Sequence, residues 1–202
     1  MNSTQLRDRA SRTAQDDPIG ALEIARGISD PWFCVQALAA VAHWSPEDQV
    51  ERLAHEALSV AKECEDHYQR AAVAAWPVRA LIDRGRVAPA AEALAQARQH
   101  ALAATPVGSR AEAFLSLLEG GFPLGAETRQ QLVRDLLELE GEPTHWRVGR
   151  AIVRALGMLA QADIETAEGL SSQIADDRLR EKVQAAVAAG NPCGPRDYFR
   201  SR

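Results

Sequence analysis

The sequence predicts an all-α chain, a right-handed α-α superhelix, or solenoid, of about five helical hairpins. Three observations carry that prediction. Apolar residues recur at three- and four-residue spacing along most of the chain, the mark of helices with one buried stripe. Strand formers are scarce: aromatics make up only 5% of residues and β-branched runs are lacking. A short alanine-leucine motif returns twice at an interval of 36 residues, beginning at Ala21, Ala57 and Ala93.

The helices follow one another with explicit punctuation. A first helix over 4–15 gives way to Asp17-Pro18, which opens 18–28, and Asp30-Pro31 opens 31–44. In both pairs the aspartate accepts from an otherwise unpaired amide, and proline fits the first turn because its missing N–H is not needed there. Ser45-Pro46-Glu47-Asp48 reads as the start of 46–65, its acids favoured by the helix dipole. A helix over 67–84 stops at Gly85, and Pro77 inside it is expected to bend the axis near Ala74–Trp76. Helices over 89–104 and 107–119 follow, the latter closed by Gly120-Gly121 and Pro123, and one over 125–140 is closed by Gly141 and Pro143. The last three are expected at 144–161, at 164–174 after Asp163, and at 177–189 after Asp176, ending at Gly190 before Pro192. Residues 1–190 therefore read as a single helical-repeat domain and 191–202 as a non-helical tail that docks on the last hairpin or serves as a short linear motif.

The repeat itself is Ala21-Leu22-Glu23-Ile24-Ala25-Arg26, then Ala57-Leu58-Ser59-Val60-Ala61-Lys62, then Ala93-Leu94-Ala95-Gln96-Ala97-Arg98. Gln131–Arg134 is a degenerate fourth copy, and Ile174-Ala175-Asp176 laid on Ile28-Ser29-Asp30 suggests a fifth. Hairpins of this length cannot bury their apolar faces alone, so neighbours must stack and share a core. Small residues such as Ala37, Ala40, Ala71, Ala75, Ala111 and Ala185 permit helices to approach at the short end of the usual range, about 8–10 Å. The second helix of each pair carries a further motif: Asp66-x-x-x-Arg70-Ala71, Arg110-Ala111, Arg147-Val148 and Asp176-x-x-x-Arg180, with Cys34-Val35 as the deviant first copy.

Taken together, the ALxxA(R/K) motif, the following Arg-Ala pair and the alanine-rich second helix resemble the tetratricopeptide-like and HEAT-like helical-hairpin repeats. The resemblance covers residues 18–189. The period lies between the ~34 residues of the first class and the ~40–47 of the second. Such repeats are mostly protein- or peptide-binding scaffolds, so the resemblance implies binding rather than catalysis.

Composition narrows the function further. With 202 residues, 46% apolar and 25% charged, the chain is long enough for one well-buried domain and ordinary enough to fold by itself. No stretch approaches the ~18 apolar residues of a membrane span, and the N-terminus lacks a signal peptide's apolar core, so no membrane partner and a cytoplasmic location are expected. Cys34, Cys64 and Cys193 are odd in number and widely spaced, as fits reduced, packed thiols. A net charge of −5 disfavours nucleic acid, whose phosphates call for clustered Lys and Arg.

Three residue sets are candidates for partner binding. Trp32, Tyr68 and His145, with Trp146 beside the last, sit near the start of second helices; they form an aromatic ladder for a peptide, or else staples that close each turn. Arg70, Arg110, Arg147 and Arg180 form a second ladder, suited to clamping an acidic peptide or else paired with carboxylates such as Asp66 and Asp176. Arg147, Arg150 and Arg154 fall on one helix face, as an acidic-partner site or as one neutralised by Asp135, Glu138, Glu140 and Glu142 of the helix before. The histidines are dispersed, and Cys64-x-x-His67 supplies two ligands where a structural zinc needs four, so no metal, cofactor or catalytic residue is assigned. The expected function is a non-enzymatic protein- or peptide-binding scaffold. The alternatives are a small-molecule sensor or enzyme with a pocket near Trp76, Arg79 and Trp146, and a helical-repeat nucleic-acid binder.

Overall fold

The computed structural model describes residues 1–141, 146–189 and 194–199. Among them run eleven α-helices: α1 (Ser3–Thr13), α2 (Pro18–Arg26), α3 (Pro31–Trp44), α4 (Val50–Ala61), α5 (His67–Asp83), α6 (Val87–Ala103), α7 (Val107–Gly121), α8 (Ala126–Leu137), α9 (Trp146–Ala162), α10 (Ile164–Ser171) and α11 (Asp177–Ala188). The chain is all-helical as expected, and no strand is present among the described residues. Glu142, Pro143, residue 144, His145, Gly190, Pro192 and Cys193, named above, lie outside the described residues.

The aspartate starts hold in atomic detail. Asp17, Asp30, Asp66, Asp163 and Asp176 each accept an amide of the first turn, from Gly20, Trp32, Gln69, Thr166 and Leu179 respectively. Gly85 stops α5 as read: its φ of 71° permits the amide of Arg86 to reach Leu81 O at 2.8 Å and its own amide to reach Ile82 O at 2.9 Å, which satisfies carbonyls the helix leaves bare. Pro77 is accommodated within an unbroken α5.

Two signals were misread. Ser45 does not open α4; it ends α3, and its hydroxyl donates to Val41 O at 2.7 Å, so α4 begins only at Val50. Gly120-Gly121 does not stop the helix before it but completes α7. A methyl group on Gly120 would lie 2.7 Å from Ala75 O and 2.9 Å from Ala75 Cβ: the glycine is there because α7 passes too close to α5 for any side chain. The ends of α8 and α10 also fall a turn short of expectation, where Leu139 N–H turns back to Leu136 O and Ile174 N–H to Ser171 O in the tighter three-residue pattern common at helix ends.

Packing follows chain order. Each helix rests on its neighbours in sequence, and the odd-numbered helices also pack one on the next, α1 on α3, α3 on α5, α5 on α7, α7 on α9 and α9 on α11. This odd layer holds most of the interior. α3 is buried without interruption from Cys34 to Ala42 and α5 from Ala71 to Ala75, because each has packed helices on several sides. The even helices stand further apart and are linked by long side chains. Arg26 of α2 holds Glu56 of α4 with bonds of 2.7 and 2.9 Å, and Arg98 of α6 holds Asp135 of α8 with bonds of 2.6 and 2.7 Å. Both arginines occupy the last position of the repeated alanine-leucine motif. The core forms two apolar clusters that meet in α5, with Ala71, Ala74 and Val78 in one and Val73, Ala80 and Leu81 in the other.

Candidate binding groove

The arginine ladder is a device of the loops. Arg70 Nε donates to Cys64 O at 2.9 Å, Arg110 Nε to Ala104 O at 3.0 Å, and Arg180 Nη1 to Ile174 O at 2.7 Å. In each case the acceptor lies six residues back, in the turn one to three residues past the preceding even helix, where a main-chain carbonyl has no helical partner. Asp66 and Asp176 do not take these arginines as the spacing implied. Their carboxylates cap Gln69 and Leu179, and Arg180 turns its other nitrogen to Asp177. Three of the four ladder arginines thus close the turn between the two helices of a hairpin.

The stripe on α9 is neutralised, but by a different helix from the one adjacent in sequence. Arg150 is paired with Glu112, and Arg154 meets Glu119 at 2.6 Å, both carboxylates on α7. The acids of the α8 region are otherwise engaged: Asp135 by Arg98, and Glu140 by the amide of Asp176 at 2.8 Å. Trp146 remains 65% exposed, with the guanidinium carbons of Arg147 and Arg150 at 5.5 and 5.1 Å from its ring centre. Trp146, Arg150 and Arg154, with Glu112 and Glu119 of α7 and Leu179 and Lys182 of α11, line a hollow of about 780 Å³ between α7, α9 and α11.

Further along the odd layer, Trp32 and Tyr68 stack at 6.3 Å with 29° between rings. This brings the first two rungs of the aromatic ladder together. They border a second hollow of about 240 Å³, which reaches Arg7, Phe33, Gln36 and Trp76. Trp76 and Trp146 belong to different hollows, so the single pocket expected near Trp76, Arg79 and Trp146 is not formed; Arg196 borders both hollows.

Between the hollows lies the end of the chain. Residues 194–199 have no helical structure and cross the odd layer. The ring of Tyr198 meets Trp76 of α5 edge-on at 4.9 Å, and its hydroxyl donates to Ser116 O of α7 at 3.3 Å. Phe199 stacks on His43 of α3 at 4.3 Å and 21°. Arg196 lies 5.1 Å over Trp76. Tyr198 is buried, and that burial pushes its phenol well above the usual tyrosine range. His43, half enclosed beneath Phe199, is held below its ordinary value, chiefly by desolvation and despite Asp83 at 3.7 Å. Among the described tail residues, the aromatics rest on α3, α5 and α7 rather than on the last hairpin.

Sequence reasoning missed His43, Ser116, Glu112, Glu119, Tyr198 and Phe199 as parts of one surface. Comparison with protein-family models, with curated proteins and with solved structures returned no match to this chain. Function must accordingly be argued from the groove.

Proposed function

We propose that the chain is a non-enzymatic protein- or peptide-binding scaffold, an α-solenoid of about five hairpins winding as a right-handed superhelix, whose partner lies along the odd-numbered helices. The order of helix contacts supports the solenoid. Odd helices approach closely through Ala75 and Gly120, whereas even helices are bridged by arginine–carboxylate pairs; a row pinched on one side curves toward it, which makes the odd layer the concave face. Buried free thiols at Cys34 and Cys64 accord with a reducing, cytoplasmic setting.

One observation carries the binding reading: a non-helical stretch of polypeptide, Gly194–Phe199, already lies across this face with a buried tyrosine anchor. Aromatic anchors in desolvated pockets, ringed by polar contacts, are how such surfaces gain affinity. Charge favours a peptide over a nucleic acid. Arg150, Arg154, Lys182 and Arg196 face Glu112 and Glu119 across the larger hollow, a mixed lining suited to side chains of both signs and ill-suited to a run of phosphates.

Panning a displayed library of random peptides against the immobilised full chain tests this. The expected result is enrichment of sequences whose binding is lost in Trp76→Ala and weakened at least tenfold in Arg150→Glu/Arg154→Glu. Failure of every sequence to enrich, or binding indifferent to both variants, would overturn it. A metabolite that raised the melting temperature in their place would favour the pocket alternative.

A further inference from the structure

The stretch that crosses the groove has a defined chemistry. From Gly194, where an added methyl would lie 3.5 Å from Gln161 Oε1 of α9, it passes Ser116 of α7 and Trp76 of α5 and reaches His43 of α3. Within six residues it runs against four consecutive odd helices, from α9 at its start to α3 at its end. Each contact is specific in kind. A guanidinium covers an indole face, a phenol finds a main-chain carbonyl, and a phenyl ring lies flat on an imidazole. On either side the groove continues as hollows of about 780 and 240 Å³, both bordered by Arg196. A segment that merely sealed the fold's end would lie over α11; this one spans the middle of the layer and leaves room on both flanks.

We infer that residues 194–199 are a self-ligand of the groove, and that the groove's external partner is a non-helical peptide segment of the same kind, an arginine followed two residues later by an aromatic pair led by tyrosine. This rests on the peptide-binding reading and adds to it both a ligand chemistry and a control. The tethered segment competes with any free one at an effective concentration on the order of millimolar, so the partner gains access only when the strap lifts. Selectivity for tyrosine over phenylalanine at the first ring follows from the acceptor at Ser116 O, which a phenyl ring would leave without its hydrogen bond.

The test uses the full chain with Tyr198→Ala and Phe199→Ala together, which leaves the groove intact but disarms the strap. Its probe is a fluorescent peptide with the sequence of residues 191–202, followed by anisotropy. The disarmed chain is expected to bind the peptide at least tenfold more tightly than the unaltered chain. Adding Trp76→Ala to the chain, or replacing the peptide's tyrosine by alanine, is expected to remove that binding. If the double variant loses its helical circular dichroism, Arg196→Ala with Tyr198→Phe takes its place, with an expected gain of at least threefold. Equal binding to open and unaltered chains, or none to a folded open chain, would overturn the self-ligand. Neither result decides the peptide-binding reading, which the library selection judges separately when it is run on the disarmed chain beside the unaltered one: enrichment on neither overturns that reading, and equal enrichment on both counts only against the strap.

Discussion

Arg98 grips Asp135 with two hydrogen bonds of 2.6 and 2.7 Å while the aspartate is only 2% exposed. Gln131 adds a third bond to the same carboxylate at 3.0 Å. Removing one partner of such a pair strands a charge, whereas removing both restores an apolar contact. Arg98→Met is therefore expected to cost about 3 kcal/mol in urea unfolding, and Arg98→Met/Asp135→Leu about 1 kcal/mol or less. A double variant as unstable as the single one would show that the pair is not what joins α6 to α8.

Gly120→Ala is expected to destabilise the chain by about 1–3 kcal/mol, because the new methyl meets the backbone of Ala75 rather than a flexible side chain. Gly121→Ala, whose methyl meets only the tip of Leu94, is expected to cost less. Equal melting temperatures for the two would place the close approach elsewhere.

Arg110 satisfies Ala104 O from the partly buried start of α7. Arg110→Ala is expected to cost about 1.5–3 kcal/mol, the usual worth of a bond from a charged donor. A lysine, with a different reach and no planar fork, is expected to recover less than half of it. Full recovery in Arg110→Lys, read by thermal unfolding, would reduce the ladder to simple charge.

His43 predicts how stability responds to acid. The folded chain keeps this imidazole neutral where the unfolded chain, near its ordinary 6.5, takes up a proton, so stability is full above that value and falls as the pH drops below it. The loss levels off once the folded chain also protonates. Asp83 and Asp197 oppose the effect while Arg79 and Arg84 reinforce it. Urea midpoints at about pH 8 and about pH 5 should differ more in the unaltered chain than in His43→Gln; the same difference in both would assign the acid response to other groups.

The thiols of Cys34 and Cys64 are pushed up to about 11 by burial. At about pH 8 roughly one in a thousand is ionised, and only the thiolate alkylates. Iodoacetamide should label both at least a hundredfold more slowly in the folded chain than in denaturant, as followed by peptide mass spectrometry. Rapid labelling of either would mean that its helix opens readily.

Helix order and helix starts were legible because their chemistry is local. Asp17, Asp30, Asp163 and Asp176 cap amides two or three residues away, and Gly85 ends α5 within a single turn. What could not be read depended on a neighbour not yet placed. Serine can serve either end of a helix, and Ser45 serves the unexpected one because Arg84, just past α5, also gathers the carbonyls of His43 and Ser45 there. Gly120 looks like a stop until Ala75 stands beside it. The α9 arginines were matched to the acids nearest in sequence, on α8, yet odd helices touch odd helices, so the pairing skips to α7. The groove was the least legible part, since it is assembled by Tyr198 and Ser116, which stand 82 positions apart in the chain.

That same link alters how the chain as a whole must behave under stress. In the α-solenoid proposed above, helices that lean chiefly on near neighbours would form a quasi-linear array, whose ends are free to fray one unit at a time. The seat of Phe199 on His43 and of Tyr198 on Trp76 draws a chord from the last helix back to the third. With the chord in place, loosening at one extremity is transmitted to the opposite half, and an array of separable units gains the cooperativity of a closed loop.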